Sequence, residues 1–119
     1  MRVLVVESDP EVARLLADLL RDEGHENMLV PDRAAALAAL GDQSFDVCIC
    51  DGFGPSVTDL EHLDHDELVR LSATVPVVLC TAHTWAADLG AEQLGVAAVV
   101  RKPFDLGDLI AVVERTARP

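Results

Sequence analysis

Residues 45–51 read FDVCICD and are followed at once by GFGP, residues 52–55. Apolar side chains fill both alternating sets of positions in this run, which is typical of a parallel strand covered on both faces. The glycines and proline that follow predict an abrupt end to the strand. Asp51 is therefore expected at the carboxyl edge of a sheet, where open α/β folds bind their ligands.

Four more short runs are candidate strands, of which residues 3–6 are expected to be buried on both faces. They are residues 3–6, 27–30, 75–80 and 97–100. Segments with helical spacing or helix-end signals separate the strands and follow the last one. They comprise the segment that Gly24 closes, residues 32–40 before Gly41, part of 58–72, residues 85–94, and a last helix opening near Asp105. Five alternations predict an α/β fold, a (βα)5 doubly wound parallel five-stranded sheet, as one domain of residues 1–119.

The first helix is predicted to begin near Pro10, whose missing N–H costs nothing in a first turn. Its apolar residues are spaced so that five of them are expected on one buried face. They are Val12, Leu15, Leu16, Leu19 and Leu20. The last helix is expected to bury a stripe made of Leu109, Ile110, Val113 and Ala117.

Charge limits the classes of partner. The chain of 119 residues has 21 acidic and 9 basic residues and a net charge of −12. Phosphate backbones and anionic membranes would repel such a surface, so direct binding to nucleic acid or membrane is not expected. A basic protein surface is the better match.

Cysteine usage indicates the compartment. Cys48, Cys50 and Cys80 are odd in number and lie inside apolar runs. They are interpreted as small buried residues, without a disulfide framework or metal-binding spacing. With no signal peptide or membrane-spanning run in the sequence, we expect a cytoplasmic protein.

Groups able to act together follow four of the five predicted strands. They are Glu7-Ser8-Asp9, Asp51, Thr81 and Lys102. Because the carboxyl ends of parallel strands meet at one edge, carboxylates, a hydroxyl and an ammonium group are expected in one cleft. Carboxylate oxygens suit a hard divalent cation such as Mg²⁺.

The chain resembles the receiver domain of two-component response regulators. The resemblance covers its whole length and is carried by four stretches. The matching stretches are LVVESDP (4–10), FDVCICD (45–51) with Pro55, PVVLCTA (76–82) and KPF (102–104). The resemblance implies a flavodoxin-like strand order of 2-1-3-4-5. It also implies a single-domain receiver that signals by presenting a changed surface to a downstream protein target.

What the resemblance implies for the site is phosphorylation of Asp51 by a sensor histidine kinase, a phosphotransfer protein or a small phosphodonor. Lys102 and Thr81 would contact the phosphoryl oxygens. Mg²⁺ would be bound by Glu7, Asp51 and the backbone carbonyl of Phe53. Any enzymatic activity would be limited to self-phosphorylation and self-dephosphorylation on Asp51.

One departure from the family affects the metal. The family usually has two adjacent acids after the first strand, whereas here Ser8 follows Glu7. A hydroxyl is a poorer ligand than a carboxylate, so weak Mg²⁺ binding is expected, with Asp9 or Ser8 as a further ligand. The alternative for Ser8 is a helix cap, since Ser8 and Glu11 have capping-box spacing, and Asp9 is an equal candidate for the cap.

Other departures concern signalling and hydrolysis. Val99 stands where the family commonly has an aromatic residue that moves with the threonine, and Asp59 replaces a usual glycine. Phe53 and His83, two residues after Asp51 and Thr81, are at positions that control the access of water to the acyl phosphate.

Two alternatives to a phosphorylated receiver remain open. One is a phosphorylation-independent pseudo-receiver that acts as a protein-interaction module. The other is a flavodoxin-like cofactor binder or hydrolase, which the lack of a Gly-rich phosphate loop after the first strand disfavours.

Overall fold

The structure is a computed structural model that describes residues 1–7, 9–51, 63–81, 96–101 and 105–117. Its elements in chain order are β1 (Arg2–Val6), α1 (Pro10–Asp22), β2 (Glu26–Val30), α2 (Arg33–Asp42), β3 (Val47–Asp51), α3 (Leu63–Thr74), β4 (Val77–Thr81), β5 (Ala98–Arg101) and α4 (Leu106–Thr116). The helix predicted at residues 85–94 lies outside this description.

The five strands form one parallel sheet in the order β2-β1-β3-β4-β5. This confirms the predicted doubly wound α/β fold and the strand order. β3 is the central strand, and every side chain from Val47 to Cys50 is buried. The continuous apolar run at these positions reflects cover on both faces of the sheet.

Each face of the sheet has its own apolar core. α2 and α3 cover the face that carries Leu4, Val6, Cys48, Cys50, Val77 and Leu79. α1 and α4 cover the opposite face, which carries Val3, Val5, Val47, Ile49, Val78 and Cys80. The three cysteines are buried thiols inside these cores, as the interpretation from the sequence required.

The buried face of α1 differs from the predicted one. Leu16 is 4% exposed and Leu20 is fully buried, but Leu15 is 53% exposed and Val12 is 40% exposed. Ala13 and Ala17 take part in the buried stripe instead. The prediction was wrong for Val12 and Leu15 because small alanines let the helix lie close to the sheet, a contact that hydrophobic size alone does not reveal.

The ends of the helices are set by local hydrogen bonds. Gly24 follows α1 with φ at +85°, a conformation that glycine adopts without steric cost. α2 runs past Gly41 to Asp42, so the prediction that Gly41 ends this helix was wrong. Asp105 is the N-cap of α4, as expected, and its Oδ1 accepts a hydrogen bond from the Gly107 N–H at 2.7 Å.

Among the helices so described, none is long and apolar enough to cross a membrane.

Candidate functional site

The carboxyl edge of the sheet brings the ends of the predicted site strands together. Val6 of β1 is the register partner of Cys50 in β3, so Glu7 and Asp51 follow at the same level on neighbouring strands. Adjacent strands are about 4.8 Å apart. This register places the backbones of two acidic residues side by side.

The same register continues across β4 and β5. Asp51 is the partner of Cys80, and Thr81 at the end of β4 is the partner of Arg101. Lys102 comes directly after Arg101 in the sequence but lies outside the described residues, as do Ser8 and Phe53. For Asp51 and Thr81 the structure gives the position of the backbone. The chemical roles of their side chains therefore stay predictions.

Glu7 is held at this edge by two hydrogen bonds. Its backbone N–H donates to the carbonyl of Val30 at 3.1 Å, which ties the end of β1 to the end of β2. Its carboxylate Oε1 accepts a hydrogen bond from the Asp9 N–H at 3.0 Å. The carboxylate of Glu7 is thus positioned by the turn into α1.

Asp9 is the N-cap of α1. Its backbone is extended, with φ −86° and ψ 113°, and its Oδ1 accepts a hydrogen bond from the Glu11 N–H at 2.9 Å. Pro10 follows in the first turn, as predicted. The alternative in which Ser8 caps the helix was wrong. Asp9 precedes Pro10, and the residue before a proline is restricted to the extended backbone that an N-cap needs.

The oxygen donors at the edge suit a magnesium ion. Glu7 places a carboxylate at this edge, and Asp51 leaves the neighbouring strand at the same level. Mg²⁺ is bound in proteins by one or two carboxylates and keeps several waters. Within the residues that the structure describes, no three His, Cys, Asp or Glu side chains gather as a metal site.

Arg33 is a residue that the sequence did not single out. It is the first residue of α2, and its side chain is buried, with 9% exposed. Among the residues that the structure describes, Arg33 is the one charged residue whose side chain is buried. The sequence signal was a lone cation at the start of an Ala-rich helix, three residues after the end of the short strand β2.

Burial raises the pKa of the Cys48 thiol well above its ordinary value, and the nearby Cys50 adds to the effect. The positive charge of Arg33 acts in the opposite direction. Thiolate chemistry needs a lowered pKa and access to solvent. Cys48 is therefore a core residue without the environment of a reactive cysteine.

A groove of about 490 Å³ lies between α1 and β2. Its lining includes Glu7, Arg14, Asp18, Arg21 and Leu29. Arg21 and Asp18 form an exposed ion pair at 3.6 Å across one helical turn, and such pairs contribute little stability. The groove meets the acidic edge through Glu7.

Comparison with known proteins points to one family. The sequence model described as "Response regulator receiver domain" matches residues 3–114. The chain is 34% identical over 119 residues to the DNA-binding response regulator MtrA of Mycolicibacterium smegmatis, a match covering 98% of this chain and 50% of that protein. It is 35% identical over 118 residues to the sensory transduction protein RegX3 of Mycobacterium bovis, with the same coverage.

A solved structure has the same fold. The response regulator protein TrrA of Thermotoga maritima, determined in complex with Mg²⁺-BeF, matches with a TM-score of 0.75 and 26% identity, over 97% of each chain. The chain spans about half the length of the curated relatives that it matches.

Proposed function

Because this chain belongs to the family of response regulator receiver domains, we propose that it accepts a phosphoryl group on Asp51. The observation that carries the proposal is the register of β1 and β3, which supports Asp51 beside Glu7 at the carboxyl edge. The donor would be a sensor histidine kinase, a phosphotransfer protein or a small phosphodonor. The changed surface would then bind a downstream protein target.

In the proposed reaction, a carboxylate oxygen of Asp51 forms a bond to phosphorus. The bond from phosphorus to the donor atom, a histidine nitrogen or an acyl oxygen, breaks, and the leaving group keeps that electron pair. The Lys102 ammonium and the Thr81 hydroxyl offset charge on the phosphoryl oxygens. Hydrolysis later returns Asp51 to a free carboxylate. Any catalysis by this domain is therefore limited to adding and removing its own phosphoryl group.

The residues proposed to hold Mg²⁺ are Glu7, Asp51 and the carbonyl of Phe53, with Asp9 or Ser8 beside them. The bound cation would supply positive charge to the phosphoryl oxygens. Ser8 brings no charge, and one oxygen of Asp9 is used by the Glu11 N–H. We therefore expect the affinity for Mg²⁺ to be low.

A second candidate function is a pseudo-receiver that binds a protein without phosphorylation. Two observations favour it. Asp9 serves the helix as its cap, so the carboxylate missing at Ser8 has no clear replacement. Val99 in β5 is half-buried and packs on the apolar core, where it offers no ring to swing inward on activation.

The net charge of −12 favours a basic protein surface as the partner, whether kinase or target. Direct binding of nucleic acid by this domain is not proposed. We propose a cytoplasmic location, where such a kinase would act.

The test is incubation with acetyl phosphate and Mg²⁺, followed by intact-mass measurement. The wild type should gain one phosphoryl group and Asp51→Asn none. Asp42→Asn, which changes an exposed acid at the end of α2, is the matched control and should behave as the wild type. Absence of an adduct at high donor and metal concentrations would favour the pseudo-receiver. An adduct that survives in Asp51→Asn would mean another nucleophile.

A further inference from the structure

β2 is an edge strand of the sheet. Within the described residues it pairs with β1 alone. The Glu26 N–H donates to the residue before β1, and the Val30 carbonyl accepts from the residue after it, so the main-chain groups of both face β1. Main-chain groups of successive strand residues point alternately to the two sides. The N–H and C=O groups of Asn27 and Leu29 therefore point outward from the sheet.

This edge lacks the features that usually keep other strands away. Edge strands commonly carry charged residues, prolines or bulges that prevent pairing with a further chain. Residues 27–30 read NMLV, with no charge and no proline, and their register with β1 is uninterrupted. Met28 is 37% exposed and Leu29 is 41% exposed. The edge of β2 is thus open to the main chain of an added strand.

The groove between α1 and β2 lies directly beside this edge. Ala13 and Ala17 of α1 line it together with Leu29, and its volume of about 490 Å³ is in the range of ligand pockets. The side chain of Asn27 also points to this face, where its Nδ2 donates to the Ala17 carbonyl at 3.2 Å. Alternate side chains of a strand added to β2 would enter the same groove.

Arg14 brings an uncommitted charge to the groove. The other charged side chains in its lining are engaged, since Glu7 accepts from the Asp9 N–H and Arg21 pairs with Asp18 at 3.6 Å. Arg14 is exposed, and no hydrogen bond or ion pair joins it to another residue that the structure describes. A guanidinium binds a carboxylate well, so the groove favours an occupant with one acidic side chain.

We propose that this groove binds an extended peptide segment of a partner protein, which adds to the sheet as a strand beside β2. The peptide main chain pairs with Asn27 and Leu29, its apolar side chains lie on the alanines of α1, and one carboxylate meets Arg14. Basic residues flank this segment, because the chain as a whole has a net charge of −12. The site is independent of phosphorylation on Asp51.

The first test is selection of random nonapeptides displayed on phage against the unphosphorylated protein. Selected peptides should carry apolar residues and one acid at alternate positions. Arg14→Glu should weaken their binding at least about tenfold and, in a new selection, replace the acid by lysine or arginine. Arg115→Glu, which reverses an exposed charge on α4, should bind them as the wild type does. Selection of no peptide, or equal binding by Arg14→Glu, would overturn the proposal.

The second test locates the peptide and its mode of binding. A selected peptide is titrated into ¹⁵N-labelled protein, and the amide signals of Asn27 and Leu29 should shift the most. N-methylation of the peptide amides that face β2 should abolish binding, whereas methylation of the alternate set should leave it intact. Equal effects of the two sets, or shifts confined to another surface, would overturn strand addition.

A second copy of the chain is the competing occupant, and light scattering on the free protein tests it. We expect a monomer, because two chains of net charge −12 repel each other. Leu29→Pro removes one outward N–H at a position where an edge strand tolerates proline, and it should weaken peptide binding without changing the mass. A dimer that Leu29→Pro dissociates would assign the groove to a second copy and overturn the proposal.

Discussion

Val6 and Cys50 are register partners in the parallel pairing of β1 and β3. This one relationship sets Glu7 and Asp51 at the same level on adjacent strands, about 4.8 Å apart in the direction of the hydrogen bonds. Both residues carry negative charge, and like charges in one site repel each other unless cations lie near them. The charge at this edge therefore bears on both the metal binding and the phosphorylation that we propose.

Ser8→Asp should bind Mg²⁺ about tenfold more tightly than the wild type, because a carboxylate adds both charge and a better oxygen donor. Isothermal titration calorimetry measures the two dissociation constants. Ser8→Ala is the control and should bind no more tightly than the wild type. Equal affinity in Ser8→Asp and the wild type would reject the role given to Ser8.

Asp9→Ala should lower the free energy of unfolding by about 1 kcal/mol, because the Glu11 N–H at the start of α1 loses its acceptor. Asp9→Ser should recover most of that loss, and chemical denaturation measures both. Asp9→Ser should bind Mg²⁺ as the wild type does if Asp9 only caps the helix and Ser8 is the further ligand. Asp105→Ala, which removes the cap of α4, should lose stability to a similar extent without any effect on Mg²⁺. A large fall in the affinity of Asp9→Ser would place Asp9 among the ligands.

Stability should fall as the pH rises above about 8.5, the ordinary pKa of a thiol. The folded state holds the proton of Cys48 more tightly than the unfolded state does. The contribution of Cys48 to stability is therefore fully present below that pH and is lost as the pH rises above it. Cys48→Ala should show a shallower decline in denaturation experiments at increasing pH. Val77→Ala, at the buried register partner of Cys48, should keep the wild-type slope. Equal slopes in the two variants would contradict this account.

The fold was predictable because its strongest signals are local. Runs of apolar, β-branched residues marked the strands, and Asp105 and Pro10 marked the starts of helices. The buried face of α1 was not predictable, because Leu15 and Leu16 are equally hydrophobic. Only packing against the sheet decides that Leu16 is buried and Leu15 exposed.

The site was predictable as a set of strand ends, since topology alone brings Glu7, Asp51 and Thr81 to one edge. Arg33 was missed because propensity describes it as an ordinary residue of a helix. Its burial depends on how α2 packs on β1, β2 and α3, which is a property of the whole fold.

Phe53→Asn should shorten the life of the acyl phosphate on Asp51. Hydrolysis needs a water aligned with the phosphorus, and a phenyl ring at position 53 would give that water no strong hydrogen bond while covering part of its approach. The decay of the phosphorylated species by mass spectrometry measures the rate. His83→Ala should slow the loss or leave it unchanged, because an imidazole is able to accept a proton from the same water. The same decay rate in Phe53→Asn and the wild type would reject the shielding role.

The most direct measurement of the central claim is reductive trapping of the phosphorylated protein. Borohydride converts a phosphorylated aspartate to homoserine, and peptide mass spectrometry locates the altered residue. After treatment with acetyl phosphate and Mg²⁺, we expect homoserine at position 51 in the wild type and no trapped residue in Asp51→Asn. Reduction at another acidic residue, or at none, would contradict the assignment of Asp51 as the phosphoryl acceptor.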